Sequence, residues 1–77
     1  MLVQVLVSSF SDAEIPAGPR PGNLFTLNNG PNPVASLILT WNGVVLAPVK
    51  DFVLSGNVLT TVQKVNAGDS FICWYRY

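Results

Sequence analysis

The side chains here that could do acid–base, nucleophilic or metal chemistry are Asp12, Glu14, Asp51, Asp69, Lys50, Lys64 and Cys73. The sequence has no histidine. It therefore lacks both the side chain that titrates most readily near neutral pH and the commonest nitrogen ligand for zinc. A hydrolase or transferase needs a base poised near neutral pH or a nucleophile activated by one. Asp12 and Glu14 fall in the stretch "SDAEIPAGPRPGN" and read as solvated carboxylates. Asp51 precedes an apolar run and Asp69 follows Gly68, both places where a short carboxylate accepts bonds from nearby backbone N–H groups in a turn. Spacing alone leaves open a retaining-glycosidase pair of Asp51 with Asp69, but nothing positive supports it. Cys73 lies between Ile72 and Trp74 with no basic neighbour, the setting of an inert core thiol. Neither a "GxxxxGK" phosphate loop nor a "GxGxxG" fingerprint occurs. The expectation is a protein that is not an enzyme, with no catalytic, cofactor or metal site.

The aromatic residues offer a different chemistry. Trp41, Trp74, Tyr75 and Tyr77 could form a platform for stacking a sugar or binding a peptide. In so short a chain large aromatics also supply much of the core, and core or subunit contact is the preferred reading. Together with Arg20 these four are the candidate partner or ligand contacts.

The elements that would position these residues follow from periodicity. In residues 1–10, Val3, Val5 and Val7 alternate with Leu2, Gln4 and Leu6, which predicts a strand. Residues 11–23 hold three prolines and two glycines, which disfavours helix and central strand and predicts an arm or long loop, or a disordered connector. Only Ile15 would anchor that stretch. Residues 24–27 make a short strand before the turns of "NNGPNP". Leu37, Leu39 and Trp41 then alternate with Ile38, Thr40 and Asn42. Asn42-Gly43 supplies the pair of residues tolerant of positive φ that a two-residue type I′ hairpin turn requires, and "VVLA" returns to Pro48. A second hairpin runs from "DFVLS" through Gly56-Asn57 to "VLTTV", and a turn at Gly68 and Asp69 leads into the last strand, "SFICWYRY". That strand is apolar on both faces, so it is either central in a sandwich or covered by a neighbouring subunit. No ten-residue window has a convincing 3.6-residue period. The fold class expected is all-β: a small antiparallel sandwich or partly open barrel of six to seven short strands with a Pro-rich arm.

Composition bounds the rest. The 77 residues form one domain with a thin core, and small folds of this size usually lean on disulfides, metals or oligomerisation. With one cysteine and no histidine, oligomerisation is the support left. Four basic and four acidic residues in a chain that is 49% hydrophobic give a net charge of zero, which favours association. No basic patch exists to neutralise phosphates, so nucleic acid is not an expected partner. The apolar runs are too short to span a bilayer, and the start lacks the basic region of a signal peptide, so neither membrane anchor nor signal peptide is expected.

From Leu24 to Tyr77 the order of features resembles a β-rich module that recurs in bacteriophage virion proteins, tail fibres and other appendages above all. The stretches that carry the likeness are "LFTLNNGPNPVASLILTWNGVVLAP", "DFVLSGNVLTTV" and "NAGDSFICWYRY". The matching positions are Asn42, Gly43, Pro48, Asp51, Phe52, Ser55, Gly56, Ala67, Gly68, Asp69 and Tyr75, mainly turn and core residues. The resemblance implies a virion location, a homo-oligomer (a trimer by that likeness), and capsid or tail proteins as partners. In long fibres the module is one bead among many. Here it follows Met1, one strand and a proline-rich arm, so a separate capsid decoration or cement subunit, or an appendage-base adaptor, is expected. The alternative is a receptor- or carbohydrate-binding module of a tail fibre.

Overall fold

The computed structural model describes residues 9–77, and the predicted strand at 1–10 lies outside them except for its last two residues. The described residues form two antiparallel sheets that do not close into a barrel. The strands are β1 (Phe10–Glu14), β2 (Gly22–Thr26), β3 (Ile38–Trp41), β4 (Val44–Val45), β5 (Phe52–Ser55), β6 (Val58–Val65) and β7 (Phe71–Arg76). One sheet has the order β1-β7-β3-β4 and the other β2-β6-β5. A single 3₁₀ turn, Val34–Ser36, precedes β3.

Both hairpins form where the sequence places them. Trp41 pairs with Val44, leaving Asn42 and Gly43 as the loop, with φ of 50° and 82°. Two successive positive φ values define a type I′ turn, whose twist matches that of the strands it joins. Ser55 pairs with Val58 around Gly56-Asn57, and here only the first loop residue has positive φ, 60° at Gly56, as in a type II′ turn. Asn57 also bonds beyond its own hairpin. Its backbone carbonyl accepts the Leu27 N–H at 2.8 Å, and its Nδ2 donates to the Leu27 carbonyl at 3.1 Å. The hairpin tip is thereby tied to the end of β2.

The last strand, β7, is central, between β1 and β3. Its inner row, Phe71, Cys73 and Tyr75, is buried with Leu39 of β3 against Phe25, Leu59 and Phe52 of the other sheet. The Phe25 and Phe71 rings meet at 4.9 Å across the two sheets. Each such side chain taken fully out of water contributes roughly 1.5–3 kcal/mol before conformational entropy is set against it. The outer row is different. Ile38 pairs with Trp74 and Thr40 with Ile72 on the opposite face, where Ile38 is half exposed and Ile72 and Trp74 are partly buried.

The proline-rich stretch 11–23 is not a loose arm. Residues 11–14 belong to β1, and β2 begins at Gly22. Between them Ala17 and Thr26 exchange both backbone hydrogen bonds, at 3.0 and 2.7 Å. The anchor is Pro16, which is fully buried, whereas Ile15 faces solvent. Gly18 permits this close packing: a Cβ there would stand 2.4 Å from the Leu24 carbonyl oxygen and 2.8 Å from the Phe25 ring. Prolines exclude helix, as expected, but they leave room for short edge strands on either side.

Candidate functional site

The four carboxylates divide by environment. Asp12 is exposed, as expected for a solvated side chain. Glu14 is not solvated in that way. Between Ser11, which pairs with Tyr75, and Glu14, which pairs with Cys73, β1 carries one extra residue, and Ala13 takes a φ of 52°. This bulge turns Glu14 to meet the end of the buried row of β7. Its Oε1 accepts the Ser11 hydroxyl at 2.6 Å and the Tyr75 hydroxyl at 2.7 Å, while Oε2 accepts the Asn28 N–H at 3.0 Å. The Tyr75 oxygen in turn accepts the Asn29 N–H at 3.1 Å. Burial works to raise the Glu14 pKa, but the bonds from Ser11, Tyr75 and Asn28 outweigh it and hold the carboxyl below its ordinary value. Tyr75 shifts up, through burial first and then its bond to Glu14.

Asp51 and Asp69 follow the turn chemistry expected of them. Asp51 Oδ2 accepts the Ala47 N–H at 2.7 Å, and the Asp51 N–H donates back to the Ala47 carbonyl at 2.9 Å. Asp69 Oδ2 accepts the Asn66 N–H at 2.9 Å and the Trp41 indole N–H at 3.0 Å. Those two bonds, that from Asn66 first, lower its pKa. Asn42 locks the same corner: its N–H donates to the Ser70 carbonyl at 2.7 Å, and its Oδ1 accepts the Ser70 N–H at 2.9 Å. The β3–β4 turn and the turn before β7, where Gly68 has a φ of 90°, are thus one hydrogen-bonded unit. Both aspartates are engaged in separate turns.

Cys73 is fully buried, and its thiol is pushed up to about 12 by burial and by the nearby Glu14 charge. A thiol so placed is protonated and unreactive at neutral pH. Among the described residues no cluster of three His, Cys, Asp or Glu side chains stands ready to hold a metal ion. No helix among them is long and apolar enough to cross a membrane.

The four aromatics do not form one platform. Tyr75 is 3% exposed and its hydroxyl belongs to Glu14, so it is a core residue and not a surface contact. Trp74 lies on the outer face of its sheet opposite Ile38, whereas Trp41 lies on the inner face opposite Phe71. Tyr77 is exposed beyond β7, its ring 6.0 Å from that of Tyr75. Strand alternation separates them: residues an odd number of positions apart on one strand, or paired with opposite rows, face opposite ways. Arg20 is also occupied by its own chain. Its guanidinium lies 5.8 and 5.6 Å from the Phe25 and Phe71 ring centroids and donates to the Asp69 carbonyl at 3.2 Å and the Pro16 carbonyl at 3.5 Å.

Two depressions mark the surface where the sheets stay open. One, of about 430 Å³, lies between edge strand β4 and the second half of β6 and is lined by Trp41, Asn42, Val44, Leu46, Asp51, Thr61, Val62 and Gln63. The other, of about 440 Å³, is apolar and lined by Val34, Ala35, Leu37, Pro48, Val49, Phe52, Val53 and Leu54. On its rim Val49 has a φ of 69° and is 82% exposed. Positive φ in a β-branched residue is strained backbone, here held by the Val49 N–H bond to the Phe52 carbonyl at 2.7 Å. Sequence reading did not single out Gln63 or Val49 as surface features, nor Thr61 as a buried groove wall. Along β6 burial recurs at Leu59, Thr61 and Val65, and Gln63 breaks that spacing where the groove opens. A polar residue at an apolar-phase position is the signal that could have pointed to it. No family model, curated protein or solved structure matches the chain.

Proposed function

We propose that the chain is a non-enzymatic structural subunit of a bacteriophage particle, a capsid decoration or cement protein or an adaptor at the base of an appendage. It works as a homo-oligomer against capsid or tail proteins. The observation that carries the assembly reading is uncovered apolar surface on a chain with only eight charged side chains in 77. Ile38 is exposed on the outer face of one sheet beside a partly buried Trp74, Leu24 and Val53 are exposed on the other sheet, and Val49 projects beside an apolar groove. Apolar surface of this extent and spread fits association better than a solitary life in water. The short, open edges of β4 and β5 are available for strand addition by a neighbour. The virion setting rests on the likeness of residues 24–77 to phage modules.

Sedimentation of the purified protein across a dilution series, together with co-sedimentation on phage capsids and tails, tests this reading. The expected result is a defined oligomer or a particle-bound subunit, released by Trp74→Lys or Val53→Lys. A monomer that stays soluble and melts cooperatively, and that binds neither capsids nor tails, overturns it.

A further inference from the structure

We infer that the groove beside Trp41 is a binding site for a neutral saccharide. The inference goes beyond the assembly reading and does not depend on it.

A pyranose offers one apolar C–H face and a rim of hydroxyl groups, so a site for it needs an aromatic ring held at a fixed angle with polar groups at the ring's edge. Trp41 meets the first requirement. Its indole N–H is bound to Asp69 Oδ2 at 3.0 Å, and Asp69 is itself held by the Asn66 N–H at 2.9 Å, so the ring is oriented before any ligand arrives. Little rotamer freedom is then lost on binding. Asn42, Asp51 and Gln63 meet the second requirement: all three line the same groove. Asp51 gives one oxygen to the Ala47 N–H, which leaves the other for a hydroxyl donor. The Gln63 side chain, exposed on a strand where Thr61 and Val65 are buried, offers both an acceptor and donors. Val44, Leu46 and Val62 supply apolar walls. A volume of about 430 Å³ suits a small ligand.

The charge of the lining narrows the ligand class. Among the described residues no lysine or arginine lines the groove, and Asp51 is the one ionisable side chain there. That arrangement accepts hydroxyl donors and disfavours anionic sugars. Trp74, on the outer face of its sheet, serves as an internal control because it cannot share a ligand with Trp41.

The test is saturation-transfer and ¹H–¹⁵N correlation NMR on the intact protein with glucose, galactose, N-acetylglucosamine, their disaccharides and sialic acid. The expected result is transfer from a neutral sugar together with shifts confined to the Trp41 indole, Asn42, Val62 and Gln63. Affinity should fall about tenfold in Trp41→Ala, the equivalent of ~1.4 kcal/mol. Should Trp41→Ala fail to fold, Gln63→Ala and Val62→Glu alter the exposed wall of the groove and should weaken binding, while Trp74→Phe leaves it unchanged. Absence of shifts at tens of millimolar sugar overturns the inference. So does binding that survives Gln63→Ala and Val62→Glu, or binding of sialic acid as strong as that of a neutral sugar.

Discussion

Two carboxylates anchor the two ends of β7 by different routes. At its start, Asp69 accepts a bond from Asn66, three residues back, and one from Trp41 on β3, 28 residues back. At its far end, Tyr75 donates to Glu14, a partner 61 residues away in sequence. The first knot combines one local turn bond, from Asn66, with one that ties the turn to the β3–β4 corner. The second joins a bulged edge strand, the central strand and the Asn28-Asn29 turn, and it exists only when all three are in place. The difference is one of degree in cooperativity: the Asn66–Asp69 bond can form with its own turn and gains Trp41 once β3 pairs with β7, whereas the Glu14 knot needs β1, β7 and the Asn28-Asn29 turn together.

The largest effect is expected at the Glu14 end. Tyr75→Phe keeps the buried ring and removes one hydroxyl, leaving the Asn29 N–H and one Glu14 oxygen each short of a partner. Bonds to charged groups are worth about 1.5–3 kcal/mol, and in a domain of this size each kcal/mol lowers Tm by roughly 4–8 °C. Thermal melts read this directly, and an unchanged Tm would remove the contrast between the two ends. At the other end Gly43→Val should cost more than about 1 kcal/mol, because a β-branched side chain would have to adopt the φ of 82° that glycine takes there. An unaltered melt would mean that the type I′ turn does not hold the β3–β4 corner.

Asp69→Asn retains an acceptor for Asn66 and Trp41 and should lower Tm less than Tyr75→Phe; the reverse order would invert the comparison. Acid titration sharpens it further. Both carboxyls titrate below their ordinary values of 4.5 and 3.8, so over that range the unfolded chain binds more protons than the native one. Their contribution is complete above those values and is lost as pH falls through the lower native pKa values. Tm should therefore decline below pH 4.5, and Glu14→Gln and Asp69→Asn should each flatten that decline. The smallest perturbation is chemical: a thiol reagent under mildly alkaline conditions should leave Cys73 unmodified in the native protein and label it on unfolding. Rapid labelling under native conditions would place Cys73 outside the core.

The sequence states the all-β class, the hairpins and the inner row of β7, because each is written in a period of two or in a turn residue whose φ is its own property. Asn42-Gly43 is such a signal, as is the alternation of Phe71, Cys73 and Tyr75. Residues 11–23 mislead because prolines announce only what is excluded. Whether the residues between them pair with a sheet depends on β7, at the far end of the chain. The groove is still less legible: Trp41, Asp51 and Gln63 come from three separate stretches with no shared period.

Residue types and spacing by themselves thus determined the strands from β3 onward, the hairpin turns and the lack of a histidine-based chemistry, all short-range properties of the chain. Tertiary structure alone decided which neighbour each strand took. With those pairings it decided that Glu14 is bound by Tyr75, that the four aromatics part to different faces, and that an open corner remains between β4 and β6. Strand pairing is non-local, and the side chain facing a given surface changes with every one-residue shift of register. Alternation along one strand leaves that choice open until the sheets assemble.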